Sequence, residues 1–194
     1  MKKIPTMFER VFDGHKIVAV THHFTNDLCE KALEFGTPTI KYDGSPIFCG
    51  KLGIWKRIDL GKAKNFPYDK PVILCEKKPD EVTGHWPAWI LLDRSSPADK
   101  WFLEAYKEYW KQLPVKAGTY EAIGPHFQGN PYKLPADTLV KHGDHIADDL
   151  KERSFAGVKH WLETHGHEGL VFWLSGKPVC KIKRTDFGLP WPYL

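Results

Sequence analysis

The chain has 194 residues, 42% of them hydrophobic, which is enough for one compact domain with a sizeable core and short for two. Three classes are not expected: no apolar run approaches a membrane span, Met1-Lys2-Lys3-Ile4-Pro5 lacks the apolar stretch of a secretory signal, and the four cysteines include no Cys-x-x-Cys pair for a disulfide or zinc framework. A net charge of +4 is modest, but seven Lys or Arg stand against three Asp between Lys41 and Lys70, and four cations with no acid lie between Lys177 and Arg184. Such windows suit a triphosphate or a polynucleotide backbone, and the plainer reading is an ordinary solvated positive surface. A soluble, cytoplasmic, single-domain protein is expected.

In chain order, Lys16 to Val20 reads as a strand, Thr21-His22-His23 as a polar break, and a short helix opens at Asn26 or Asp27. His22 and His23 lack a third ligand at suitable spacing and read as a surface pair. Thr37-Pro38-Thr39-Ile40 is strand-like and leads into Lys41-Tyr42-Asp43-Gly44-Ser45-Pro46. A lysine half shielded at a strand end loses solvation, its pKa falls, and a free amine becomes accessible as a nucleophile; Asp-Gly supplies a sharp turn beside it. Lys-x-Asp-Gly alone reads equally as a surface lysine before a hairpin. Pro46 to Arg57 reads as two strands joined near Gly50 to Gly53, with the Lys56-Arg57 pair returning toward Lys41.

Residues 60 to 79 read as a lysine- and proline-containing loop with one short strand, Val72 to Cys75. Trp86 and Trp89, beside Pro87, read as packing residues, base stacking being the alternative. Asp99 to Gln112 has helical spacing, with Trp101, Phe102, Ala105, Tyr106, Tyr109 and Trp110 as its apolar stripe. Gly118 to Ile123 reads as a strand carrying Glu121 and ended by Gly124-Pro125; Gly129-Asn130 is a turn; Leu139 to His142 is a short strand ending at Gly143. Asp148 to Thr164 reads as a second amphipathic helix stopped by Gly166. His165-Gly166-His167 is a poor metal site without a further ligand. Glu168 heads a strand in which it is expected to face a cleft while Leu170 or Phe172 faces the core. Val179-Cys180-Lys181-Ile182-Lys183 alternates, so Lys181 and Lys183 share a face.

Lys41-x-Asp43-Gly44, Glu121 in its strand, Glu168-Gly169-Leu170-Val171 and Lys181-Ile182-Lys183, in that order, resemble the motifs of the covalent nucleotidyltransferase superfamily, which includes ATP-dependent ligases and mRNA capping enzymes. Leu52-Gly53-Ile54-Trp55-Lys56-Arg57-Ile58-Asp59, Thr83-Gly84-His85-Trp86-Pro87-Ala88-Trp89, Tyr120-Glu121-Ala122-Ile123-Gly124, Gln128-Gly129-Asn130-Pro131-Tyr132 and Phe187-Gly188-Leu189-Pro190-Trp191-Pro192 are similar to a small family of ATP-dependent 5′-to-3′ RNA ligases. The resemblance runs from about Thr39 to Pro192.

It implies an α+β nucleotidyltransferase domain, two mainly antiparallel sheets around a nucleotide cleft with flanking helices, and no separate C-terminal domain, since eleven residues follow Lys183. It implies that Lys41 is the adenylylated residue, with Ile40, Asp43 and Gly44 against the nucleotide and Arg57 on a phosphate or the ribose side. Glu121 is then a ribose-hydroxyl acceptor or metal ligand, and His142 a purine-stacking ring or simply a core or surface histidine. Glu168 would hold Mg²⁺ (or Mn²⁺), and Lys181 and Lys183 would reach the α-phosphate. The implied substrates are ATP and RNA with 5′-phosphate and 3′-hydroxyl ends; the implied activity is RNA repair by a monomer with no membrane partner. Three alternatives stand beside it: a DNA ligase, a capping-type guanylyltransferase, and a non-catalytic RNA-binding module on the same fold.

Overall fold

The computed structural model describes residues 3–14, 16–62, 70–81 and 83–193. In chain order the strands are β1 (Phe8–Asp13), β2 (Lys16–Phe24), β3 (Thr37–Lys41), β4 (Ser45–Gly50), β5 (Gly53–Asp59), β6 (Val72–Leu74), β7 (Pro87–Leu91), β8 (Gly118–Ile123), β9 (Thr138–Lys141), β10 (Gly169–Leu174) and β11 (Lys177–Lys183). The α-helices among these residues are α1 (Asp27–Phe35), α2 (Lys100–Gln112) and α3 (Phe155–Thr164). All pairings between these strands are antiparallel and helices are few, which makes this an α+β protein. The described strands form three sheets where two were expected: β1-β2, β11-β10-β3 and β6-β7-β5-β4-β8-β9. No helix among the described residues is long and apolar enough to cross a membrane. The chain divides into two compact units, Asp43–His142 and Lys3–Tyr42 with Gly143–Leu194.

In the unit that joins Lys3–Tyr42 to Gly143–Leu194, alternation gives the three-stranded sheet one dry and one charged face. Leu170, Phe172, Cys180 and Ile182 are fully buried and pack with Cys29, Ala32 and Leu33 of α1 and Val158, Trp161 and Leu162 of α3. The intervening residues Lys181 and Lys183 point the other way. The segment before β1 lies along β11: the Met7 N–H donates to the Lys181 carbonyl (2.7 Å) and the Lys181 N–H to that of Pro5 (3.0 Å).

α1 begins where expected, capped by Asn26, whose side chain accepts from the Cys29 N–H at 3.0 Å. Two other expectations in this unit are corrected. β2 does not break at Thr21-His22-His23 but runs to Phe24, because Phe24 pairs with Phe8 across the hairpin and the His22 ring stacks on Phe155 at 3.8 Å. α3 starts at Phe155, capped by Ser154, and not at Asp148. Asp149 accepts from Trp161 Nε1 (2.8 Å) and pairs with His165 Nε2 (2.9 Å), so residues 148–153 fold back along the far end of the helix instead of extending it.

In the unit Asp43–His142, Ile47, Cys49, Tyr120, Ala122 and Leu139 of the six-stranded sheet meet Ala105 of α2, with Trp101, Phe102, Tyr106 and Tyr109 partly buried. Trp110 ends the stripe and is 63% exposed. Trp89 is buried, while Trp86 is half-buried with its Nε1 donating to the Glu76 carbonyl at 3.0 Å. The short strand β6 ends at Leu74, one residue before its expected end; part of the lysine-rich loop, residues 63–69, lies outside the described residues.

Candidate active site

Gly169 is the pivot of the site in the unit that joins Lys3–Tyr42 to Gly143–Leu194. It pairs with Lys41 on one side and Lys183 on the other, so the three strands bring residues 41 and 183 to one row. A Cβ on Gly169 would strike the Ile182 carbonyl oxygen and lie 3.0 Å from Lys183 Cα, so only glycine permits this approach. Glu168 stands just before β10 and is 4% exposed; its Oε2 accepts from Lys41 Nζ and its Oε1 from Lys183 Nζ. The expectation that strand alternation turns Glu168 away from Leu170 and Phe172 is corrected. Residues 168, 170 and 172 would share a face in a regular strand, and Glu168 reaches the lysines because it precedes the strand.

The Lys41 and Lys183 side chains are 21% and 30% exposed, open enough to meet a solute. Lys41 Nζ also donates to the Tyr42 carbonyl at 3.3 Å. Ile40, next to Lys41, packs partly buried on the aliphatic face. For Lys181, two residues before Lys183 on the same face, burial, then the positive charges of Lys183, Lys41 and Arg10, bring the pKa to about 8, with Glu168 opposing.

This shift has a consequence for stability. Below about pH 8 Lys181 is protonated in both folded and unfolded chains, and folding bears the full cost of its charge. As pH rises from about 8 toward the unfolded value of 10.5, the unfolded chain binds more protons and stability climbs. Lys181→Met should therefore be more stable than wild type at pH 7, by on the order of 2 kcal/mol, with the difference shrinking toward pH 10.5. Urea unfolding of both proteins across that range checks it, and a pH-independent difference would contradict it.

Tyr42 and the nearby histidines are tied to one another. The Tyr42 hydroxyl lies 2.7 Å from His145 Nδ1, and its ring meets His167 edge-on; burial pushes the phenol pKa up. His165 stacks on Trp161 at 4.2 Å and pairs with Asp149, a packing role. His167 has its pKa lowered, chiefly by burial and next by His165. Among the described residues no group of three or more His, Cys, Asp or Glu is arranged to hold a metal.

The other expected site residues belong to the unit Asp43–His142. The Asp43 N–H donates to the Tyr132 hydroxyl at 2.6 Å. Gly44 is required by close approach, not by a left-handed turn: a Cβ there would strike the Ala122 carbonyl oxygen and lie 2.9 Å from Glu121 Cγ. Arg57 lies 5.5 Å from the ring centre of Trp89, its cross-strand partner, and Lys56 donates to the buried Asp99 at 2.5 Å. Glu121 is buried, with Oε2 2.8 Å from His142 Nε2, while His142 Nδ1 lies 3.0 Å from Thr119 Oγ1. Both ring nitrogens of His142 are thus engaged by β8. Asn130, which carried no assigned role, closes a turn by bonding the Leu134 N–H and carbonyl, each at 2.9 Å.

Two residues of the first cluster carry no sequence signal. Arg10 of β1 donates from Nε (3.0 Å) and Nη2 (2.8 Å) to Asp186 Oδ1, and Asp186 Oδ2 accepts the Lys183 N–H at 2.9 Å. No motif spacing links position 10 to position 183; the Asp186 carboxylate that both of them bond does. No protein-family model matches the chain, and no curated protein matches it in sequence.

Proposed function

We propose that the chain is an ATP-dependent RNA ligase of the covalent nucleotidyltransferase superfamily, built on that superfamily's α+β domain, which joins a 5′-phosphate to a 3′-hydroxyl through AMP carried on Lys41. The observation that carries the reading is the convergence of Lys41, Glu168 and Lys183, from three motifs far apart in sequence, on the Gly169 row. The resemblance supplies adenine, RNA, and a cytoplasmic monomer.

In the proposed first step, the Lys41 ammonium gives up a proton and its free amine attacks the α-phosphorus of ATP. The N–P bond forms as the bond to the bridging oxygen breaks, pyrophosphate leaves, and the nitrogen sheds a further proton. Lys183 and Lys181 supply positive charge for the oxygens on which negative charge grows. An oxygen of the RNA 5′-phosphate then takes the adenylyl group and frees Lys41. The 3′-hydroxyl attacks that 5′-phosphorus, and AMP departs. Mg²⁺ or Mn²⁺, when bound, neutralises phosphate charge. Glu168 fits as its carboxylate, since such ions take most of their ligands from water and phosphate. Within its own unit, Glu121 suits a hydroxyl acceptor, and His142, bonded through its ring edge, leaves its π faces unused by those bonds.

The test is intact-mass measurement of wild-type protein after ATP and Mg²⁺, with GTP in parallel, followed by sealing assays on RNA and DNA nicks and ends. AMP addition and RNA sealing are expected. GMP addition alone would shift the reading to capping, DNA sealing alone to a DNA ligase, and no adduct on folded, AMP-free protein to an RNA-binding module.

A further inference from the structure

Arg10 has a different posture from an ordinary surface ion pair. Its partner Asp186 is 1% exposed and is itself fixed by the Lys183 backbone N–H, so a rigid carboxylate links the guanidinium to the strand end that carries Lys183. Both bonds to Asp186 use one edge of the guanidinium, Nε and Nη2. Among the described residues the Nη1 group has no protein partner, and the side chain is 27% exposed. An arginine fixed along one edge and open at the other is prepared for a fork of two oxygens.

The surroundings indicate which oxygens. Among the described residues, the linked groups are four cations, Lys41, Lys181, Lys183 and Arg10, and two carboxylates, Glu168 and Asp186, which leaves an excess of two positive charges. The charge of Arg10 is among those that lower the Lys181 pKa, which agrees with its link through Asp186 to the Lys183 backbone. A tether whose only task was to hold the β1–β2 hairpin would gain nothing from the repulsion between its charge and that of Lys181. A phosphate dianion offsets that excess.

We propose that Arg10 binds a phosphate of the substrate beside the Lys41–Glu168–Lys183 cluster, a role that rests on the ligase reading for its context. The phosphate is supplied either by the triphosphate tail of ATP or by the 5′-phosphate of RNA; both present the same chemistry to the open edge.

Arg10→Gln and Arg10→Lys, each checked by thermal melting, test this against wild type with inorganic tripolyphosphate as the direct probe in calorimetry. Arg10→Gln should bind tripolyphosphate about 10- to 100-fold more weakly, and Arg10→Lys should recover part of the loss. Slower AMP addition to Arg10→Gln at limiting ATP would identify the triphosphate as the source. Normal AMP addition with slow transfer from the pre-adenylylated protein to a 5′-phosphorylated RNA would identify the RNA end. Wild-type binding of tripolyphosphate by Arg10→Gln, with both steps unchanged, would overturn the proposal whatever the melting temperature, and so would failure of wild type to bind tripolyphosphate. Arg10-dependent tripolyphosphate binding by a wild type that never forms an adduct would instead retire the ligase reading and keep the phosphate site.

Discussion

Lys41→Ala incubated with ATP and Mg²⁺ should show no AMP adduct on intact mass, a loss of at least about a thousandfold in the rate of adduct formation relative to wild type. Lys41→Arg should fail equally, because a guanidinium stays protonated and has no lone pair to offer. The test is sharper here than in a site with one lysine. Lys181, with its pKa brought down to about 8, is an accessible amine and a chemical rival for the nucleophile. Position favours Lys41: it stands at the end of β3, partly open, with its ammonium on Glu168, whereas Lys181 lies deeper along β11 with the 5–7 segment bonded to its backbone. An adduct persisting on Lys41→Ala and mapping to Lys181 by peptide mass would move the chemistry to that residue. Loss of adduct in both Lys41 variants, on protein that melts like wild type, would settle it on Lys41.

Glu168→Gln should slow AMP addition by about a hundredfold or more and lower the melting temperature, even though the side chain keeps its size. An amine without a carboxylate partner has lost an acceptor for its N–H, which by itself frees it to move. Glu168 is a buried negative charge bonded to both Lys41 and Lys183, and it holds the Lys41 ammonium in place. Misplaced reacting groups and lost charge alignment cost about a hundredfold or more. The stability cost is on the order of 2 kcal/mol, below that of a fully buried pair because both lysines are partly solvated. Adduct formation within threefold of wild type would remove Glu168 from the mechanism.

What could be read beforehand was whatever depends on local period. Cys180 and Ile182 face the core and Lys181 and Lys183 the opposite side because alternation in one strand is enough to say so. Asn26 announces α1, and the hairpin from Ser45 to Asp59 turns at the glycines that frame it. The unreadable part depends on partners distant in sequence. Asp149 shortens α3 by reaching Trp161 and His165, and nothing in residues 148–153 themselves forbids a helix. Gly44 resembles a turn glycine, yet the Ala122 carbonyl is what demands it. The lowered pKa of Lys181 likewise depends on the fold: burial comes first, then the charges of Lys183, which alternation already puts on its face, and of Lys41 and Arg10, which only the folded chain brings near. Arg10 itself sits in a hairpin whose exposed, irregular pattern hides its strand.

The glycine between residues 41 and 183 makes the site a ruler marked in backbone. Side-chain packing usually sets such spacings and drifts as cores are repacked, but here main chain rests against main chain, with no Cβ at Gly169 to swell or shrink. Charge at the ends of Lys41, Lys181 and Lys183 can therefore be rewritten while the interval between their strands is kept. For anyone reshaping this face toward another anion, the identities of its cations are the adjustable quantity and the distance between strands is the constant.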